Sequence, residues 1–166
     1  MKAESTRRRL AVKALGLATA APAAWVATAA HAHHGWSSFD QDRPLYLQGR
    51  ALEVQWRNPH VELVLQRDAG GLPPDLASRP VPAQAAQVDG RSLLSRATLP
   101  RRGDARWLVE LAPLTRMEQW RVAEIKAGTD LAVLGFAFAQ EKGEPILRAE
   151  YLFLAGQVYG LRSRPA

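Results

Sequence analysis

The sequence contains no cysteine among its 166 residues. This absence excludes a disulfide framework, an iron–sulfur cluster, a cysteine-ligated zinc site and a thiol nucleophile. Several catalytic motifs are missing as well: the G-x-S-x-G elbow, the phosphate-binding loop, H-E-x-x-H and the dinucleotide-binding fingerprint. The remaining composition, 47% hydrophobic and 23% charged, is typical of one globular domain and excludes wholesale disorder or a collagen-like repeat.

The first 32 residues have the three-part pattern of an export signal. Lys2 and the arginines 7–9 form a positive start, residues 10–30 are rich in Ala, Leu and Val, and Ala30-His31-Ala32 is the small-x-small pattern that a signal peptidase recognises. An uncleaved membrane anchor is the alternative, but one lysine and one proline interrupt the apolar stretch. We therefore expect cleavage after Ala32, a periplasmic or secreted protein, and no membrane insertion of the mature chain.

Removal of this segment changes the charge balance. Residues 6–10 (TRRRL) are similar to a twin-arginine export signal. Five of the 22 basic residues lie in the segment that is removed. Cleavage lowers the number of basic residues from 22 to 17 and of acidic residues from 16 to 15, which takes the net charge from +6 to +2. Nucleic-acid binding needs a concentrated basic face, so we expect no nucleic-acid partner.

Alternating apolar and polar residues predict a mainly β fold for residues 33–166. The alternation over 45–57 and again over 60–67 predicts two paired strands joined at the Asn58-Pro59 kink. Further strands are predicted over residues 106–111, 131–139, 145–154 and 158–161. One short helix after the third strand completes a single domain, predicted as a small closed antiparallel OB-like barrel of five or six strands. A two-sheet β-sandwich is the alternative.

Residues 69–105 interrupt this pattern. They contain five prolines, few large apolar residues and no sustained period, which predicts a long Pro-rich loop insertion with a helical turn near residues 92–96. A tolerated insertion and a functional lid are both compatible with this composition.

The histidines are the first candidates for chemistry. Signal cleavage would place His33 at the mature N-terminus, where its α-amino group and imidazole can chelate one metal ion. A second imidazole, from His34 or His60, would complete three nitrogens that suit Cu(II), an arrangement similar to the histidine brace of lytic polysaccharide monooxygenases and some periplasmic copper carriers. We predict a copper site there, with Asp40 or Glu62 orienting an imidazole. Structural or incidental histidines are the alternative.

Aromatic and charged residues elsewhere could line a ligand face. The candidates for this face are Trp36, Trp56, Trp107, Glu110 and Arg148. Core packing of the tryptophans and surface ion pairs are the alternatives. The sequence predicts no catalytic residue.

The motifs together resemble a known family. They are His33-His34-Gly35-Trp36-Ser37-Ser38-Phe39-Asp40, Trp56-Arg57-Asn58-Pro59-His60, Trp107-Leu108-Val109-Glu110, Pro113-Leu114 and the strand from Gly128 to Gly135. This combination resembles the DUF6152 family of small exported bacterial proteins. The resemblance implies a periplasmic β-barrel protein without an established activity, and it places the three histidines in the family's own motifs. The long insertion departs from the family pattern.

Three functions follow as hypotheses. The first is an exported periplasmic binding protein for a small ligand or a metal ion, with copper as the predicted metal. The second is a protein–protein interaction module with structural histidines, and the third is a copper-dependent oxidative enzyme, which needs an open coordination position beside a substrate surface.

Overall fold

Six strands and two short α-helices form the part of the chain that the computed structural model describes, residues 35–166. The strands are β1 (Leu45–Gln55), β2 (Glu62–Arg67), β3 (Arg106–Glu110), β4 (Asp130–Phe136), β5 (Ile146–Leu154) and β6 (Gln157–Gly160). The helices are α1 (Gly90–Ser95) and α2 (Leu114–Gln119). The predicted signal segment and the candidate ligands His33 and His34 lie outside the described residues.

Strand pairing closes the sheet into a barrel. The order is β3-β2-β1-β4-β5-β6, and β3 also pairs with β5, so five strands form a closed ring and β6 extends it. The closing β3–β5 pair is parallel, whereas the other pairs are antiparallel. Helix α2 lies between β3 and β4, which is consistent with an OB-like arrangement. The predicted small β-barrel is confirmed, and its strands do not separate into two sheets.

The interior of the barrel is apolar because alternate residues of each strand point inwards. In β1 and β2 these residues include Leu45, Leu47, Leu63 and Leu65, all at most 1% exposed. The predicted pairing of these two stretches is confirmed, with Gln55 opposite Glu62 next to the connection that contains Asn58-Pro59.

Two mid-strand glycines sit where neighbouring strands approach most closely. A Cβ at Gly49 would lie 1.9 Å from the carbonyl oxygen of Gln66, and a Cβ at Gly135 would lie 2.2 Å from that of Arg148. A shift in the β4–β5 register also occurs next to Gly135. Only glycine fits these positions, which is consistent with strongly coiled strands in a small barrel.

A second core lies on the outer wall of β4 and β5. The 69–105 segment contributes Leu76, Leu93 and Leu94 to it, and all three are at most 8% exposed. Asp89 is the N-cap of helix α1, and its Oδ1 accepts a hydrogen bond from the Ser92 backbone N–H at 2.9 Å. The insertion therefore packs on the barrel, an arrangement that its composition did not predict. Within residues 35–166, no helix is long and apolar enough to cross a membrane.

Candidate functional site

A partly buried group of charged and aromatic side chains lies where the end of β3 meets the start of β5. We call it the His60 cluster; its members are Trp36, His60, Glu110, Arg148 and Arg162. Glu110 and Arg148 stand opposite each other in the parallel β3–β5 ladder. The Arg148 Nη1 donates to Glu110 Oε2 at 3.0 Å, and the two side chains are only 11% and 4% exposed.

His60 joins this ion pair through one ring nitrogen. The Arg148 Nη2 lies 3.2 Å from His60 Nε2. A guanidinium group can only donate hydrogen bonds, so Nε2 must accept and the neutral ring carries its proton on Nδ1. A metal ion that binds Nε2 would therefore have to displace Arg148 from that nitrogen.

Trp36 covers the cluster from the beginning of the described chain. The guanidinium carbon of Arg162 lies 3.9 Å from the Trp36 ring centroid, and that of Arg148 lies 5.3 Å away. Phe136 packs edge-on against the same ring at 6.3 Å. These cation–π and aromatic contacts hold the segment around Trp36 against the barrel.

A further arginine, Arg116, lies beside the cluster. Burial and the charge of Arg148 lower the pKa of Arg116, which donates to the backbone carbonyls of Leu161 and Arg162. Of the arginines around the cluster, Arg148 pairs with Glu110 and Arg162 pairs with Glu150.

The structure divides the predicted ligand face in two. It brings Trp36, Glu110 and Arg148 together in the His60 cluster. Trp107 is fully buried in the barrel interior, with its Nε1 donating to the Asp104 carbonyl at 3.2 Å, and Trp56 packs against the same interior core. Core packing, the alternative interpretation, is therefore the observed role of these two tryptophans.

The two predicted supporting carboxylates take ordinary positions. Asp40 lies in a turn, where its Oδ1 accepts from the Asp42 backbone N–H at 3.2 Å and its own N–H donates to Ala137. Glu62 begins β2 and stands opposite Glu110 in the ladder with β3. Within residues 35–166, no three His, Asp or Glu side chains converge to hold a metal ion. A complete copper site would need His33 or His34.

A second ion pair beside the cluster was not predicted as part of a site. Glu150 is fully buried on β5 and accepts from Gln84 Nε2 at 2.9 Å and from Arg162 Nε at 2.7 Å. Surface ion pairs, the alternative interpretation for the charged candidates, are not observed at Arg148, which is buried as Glu150 is. The sequence signal for this buried pair was the presence of Arg148 and Glu150 within the otherwise apolar strand β5.

One comparison with known proteins matches the part of the chain that contains the candidate histidines. Residues 22–72 match the model of DUF6152, described as a family of unknown function. The match supports the resemblance that the sequence motifs indicated over this segment, which contains all three candidate histidines. No curated protein and no solved structure matches the chain.

Proposed function

We propose that this chain, which carries the DUF6152 segment, is an exported periplasmic binding protein that holds one copper ion at His33, His34 and His60. The observation that supports this proposal is the series of contacts from Trp36 to Arg148 to His60. His33 and His34 stand three and two residues before Trp36 in the sequence. The proposal requires this short segment to bring them to His60.

The chemistry of the three histidines suits Cu(II). A terminal His33 would supply its amine and its imidazole, and one further imidazole would complete the set of three nitrogens. His60 offers Nε2 once Arg148 moves away, and Arg148 keeps its ion pair with Glu110. The positive charge of Arg148 then opposes the bound cation, so Arg148 lowers the affinity for copper.

Two substitutions with opposite effects test the proposal. The protein is exported and processed by a bacterial host, its N-terminus is established by intact mass, and Cu(II) is titrated against a competing chelator. We expect one tight copper per chain beginning at His33. His60→Ala should weaken binding about tenfold or more, whereas Arg148→Gln should strengthen it.

The controls separate this site from incidental binding. One alanine added before His33 should abolish tight binding, because it removes the terminal amine from the chelate. Arg50→Gln, which changes an exposed arginine outside the cluster, should leave the affinity unchanged. A different mature N-terminus, or copper binding that is indifferent to both His60→Ala and Arg148→Gln, would contradict the proposal. Copper-dependent turnover with a reductant would instead indicate the oxidative enzyme.

One observation favours a second candidate, an interaction module in which His60 is structural. His60 accepts a hydrogen bond from a buried arginine that is already paired with Glu110. In that case His60→Ala lowers the denaturation midpoint and leaves copper binding unchanged. Deleting residues 69–105 is a poor test of docking, because that segment covers the outer core. Leu72→Ser is a cleaner test of partner docking, because Leu72 is 39% exposed on this segment.

A further inference from the structure

A large groove crosses the outer wall of the barrel. We call it the outer groove; β1, β4 and β5 form its floor, and residues 79–80 and the β5–β6 turn form its sides. Its volume is about 940 Å³, which falls in the range of roughly 300–1,000 Å³ typical of small-molecule sites. None of its lining residues belongs to the His60 cluster. We infer that the outer groove binds a neutral saccharide of a few sugar units.

The floor of the groove is aromatic. Tyr46 and Phe153 pack edge to face with their ring centroids 6.0 Å apart. Tyr46 is buried, whereas Phe153 is half-buried. The guanidinium carbon of Arg79 lies 5.9 Å from the Phe153 ring centroid, so a ligand would pack on the part of the ring that Arg79 leaves exposed. The C–H bonds on one face of a sugar ring pack against an aromatic surface of this kind, because the ring face carries partial negative charge.

The groove also offers neutral hydrogen-bonding groups. Gln48, Gln66 and Gln157 line it, and every primary amide has both donors and an acceptor. A sugar hydroxyl is also both donor and acceptor, so amides can bind it without a change of protonation. An aromatic floor with amides beside it therefore matches a ligand that has an apolar face and a hydroxylated edge.

Both arginines that line the groove are paired with carboxylates. Arg50 pairs with Asp130 through two hydrogen bonds of 2.8 and 3.2 Å. Arg79 pairs with Asp75 through two of 2.9 and 3.0 Å, and Asp68 also lines the groove. Neither arginine is left to neutralise a phosphate or a carboxylate. The paired arginines and the additional carboxylate of Asp68 favour a neutral saccharide over a nucleotide or an acidic sugar.

Binding is tested on the processed protein with EDTA present, so that copper plays no part. Maltotriose, cellotriose and triacetylchitotriose are the neutral probes, and trigalacturonic acid is the acidic comparison. Saturation-transfer NMR detects binding and calorimetry measures it. We expect at least one neutral trisaccharide to bind, and trigalacturonic acid to bind about tenfold more weakly or not at all.

Substitutions then locate the site. Phe153→Leu removes the ring but keeps apolar volume, and Gln157→Ala removes an exposed amide. Each should weaken binding about tenfold, while Gln119→Ala, an exposed amide on α2 outside the groove, should have no effect. Thermal melting confirms that each variant is folded. The inference is overturned if no neutral probe binds, if the acidic probe binds equally well, or if both groove variants bind like the unsubstituted protein.

Discussion

The turn after β4 and the middle of β5 each bury one carboxylate, and the two carboxylates meet different numbers of donors. Glu141 is 8% exposed, accepts hydrogen bonds from the backbone N–H groups of Arg101 and Arg102, and pairs with Arg43. Glu150 is 0% exposed and accepts from one amide and one guanidinium group. Both carboxylates fasten the covering segments to the barrel, but their pKa values move in opposite directions.

The causes of the two shifts explain this difference. Burial raises the pKa of Glu141, but the hydrogen bonds from Arg101, Arg43 and Arg102 together outweigh burial and hold the pKa below its usual value. Burial also raises the pKa of Glu150, and there the Arg162 charge and the two hydrogen bonds do not offset it. Several donors, two of them fixed backbone N–H groups, lower the pKa of Glu141. Complete burial raises the pKa of Glu150.

The largest effect is expected at Glu150. Glu150→Ala leaves the Arg162 guanidinium and the Gln84 amide partly buried without their acceptor. We expect a loss of about 3–5 kcal/mol in the free energy of unfolding, measured by urea denaturation at neutral pH. Glu150→Gln retains an acceptor oxygen and should cost less. A loss from Glu150→Ala below about 1 kcal/mol would mean that the network is not a significant anchor.

A smaller effect is expected at Glu141. Glu141→Gln weakens the hydrogen bonds to the Arg101 and Arg102 backbone, and bonds to charged groups contribute about 1.5–3 kcal/mol each. Since part of this set persists in glutamine, we expect a total loss within that range. The same urea denaturation measures it, with Gln140→Asn in the same turn as the matched control. Equal stability of Glu141→Gln and the unsubstituted protein would contradict the prediction.

The pH dependence should separate the two carboxylates by sign. The pKa of Glu141 is lowered in the folded state, so its contribution is present above the unfolded value of 4.5 and is lost as pH falls through the folded pKa. The pKa of Glu150 is raised, so its contribution is present below 4.5 and is lost as pH rises through the folded pKa.

Urea midpoints measured from about pH 3 to about pH 8 test this contrast. The stability difference between the unsubstituted protein and Glu141→Gln should grow as pH rises. The corresponding difference for Glu150→Gln should shrink over the same interval. Parallel trends for the two variants would show that the donors around Glu141 do not outweigh its burial.

The smallest effect is expected at an exposed pair. Asp130 accepts two hydrogen bonds from Arg50, and these hold the pKa of Asp130 below its usual value. Both side chains are more than half exposed, so water screens the attraction. Asp130→Asn should leave the urea midpoint unchanged within error. A clear loss would show that this pair supports the barrel as the buried carboxylates do.

The interior of the barrel could be predicted because its pattern is local. Period-two alternation places Leu63 and Leu65 on one face of β2, whatever that strand later pairs with. The outer core could not be predicted in this way. Leu76 and Leu93 stand among prolines and small residues without any period, and they are buried only because the segment folds back on the outer wall of β4 and β5.

The candidate site could likewise be predicted only in part, because its residues come from distant parts of the sequence. Sequence reasoning selected His60, Glu110 and Arg148 individually, but His60 and Arg148 are 88 positions apart, and their contact depends on the closing β3–β5 pair. It also grouped Trp107 with them, although Trp107 points into the barrel. Alternation shows that two residues share a face, but it does not show which face is the interior.

The sequence by itself determined the strands and the resemblance to a family, because each depends on short stretches of residues. Only the tertiary structure decided which side chains meet across the closed barrel and which charges lie beneath the insertion. The physical reason is that burial of a charged group is decided by its whole surroundings. Glu141 and Glu150 are the same residue type only nine positions apart, and yet the contacts of distant segments give their carboxylates opposite pKa shifts.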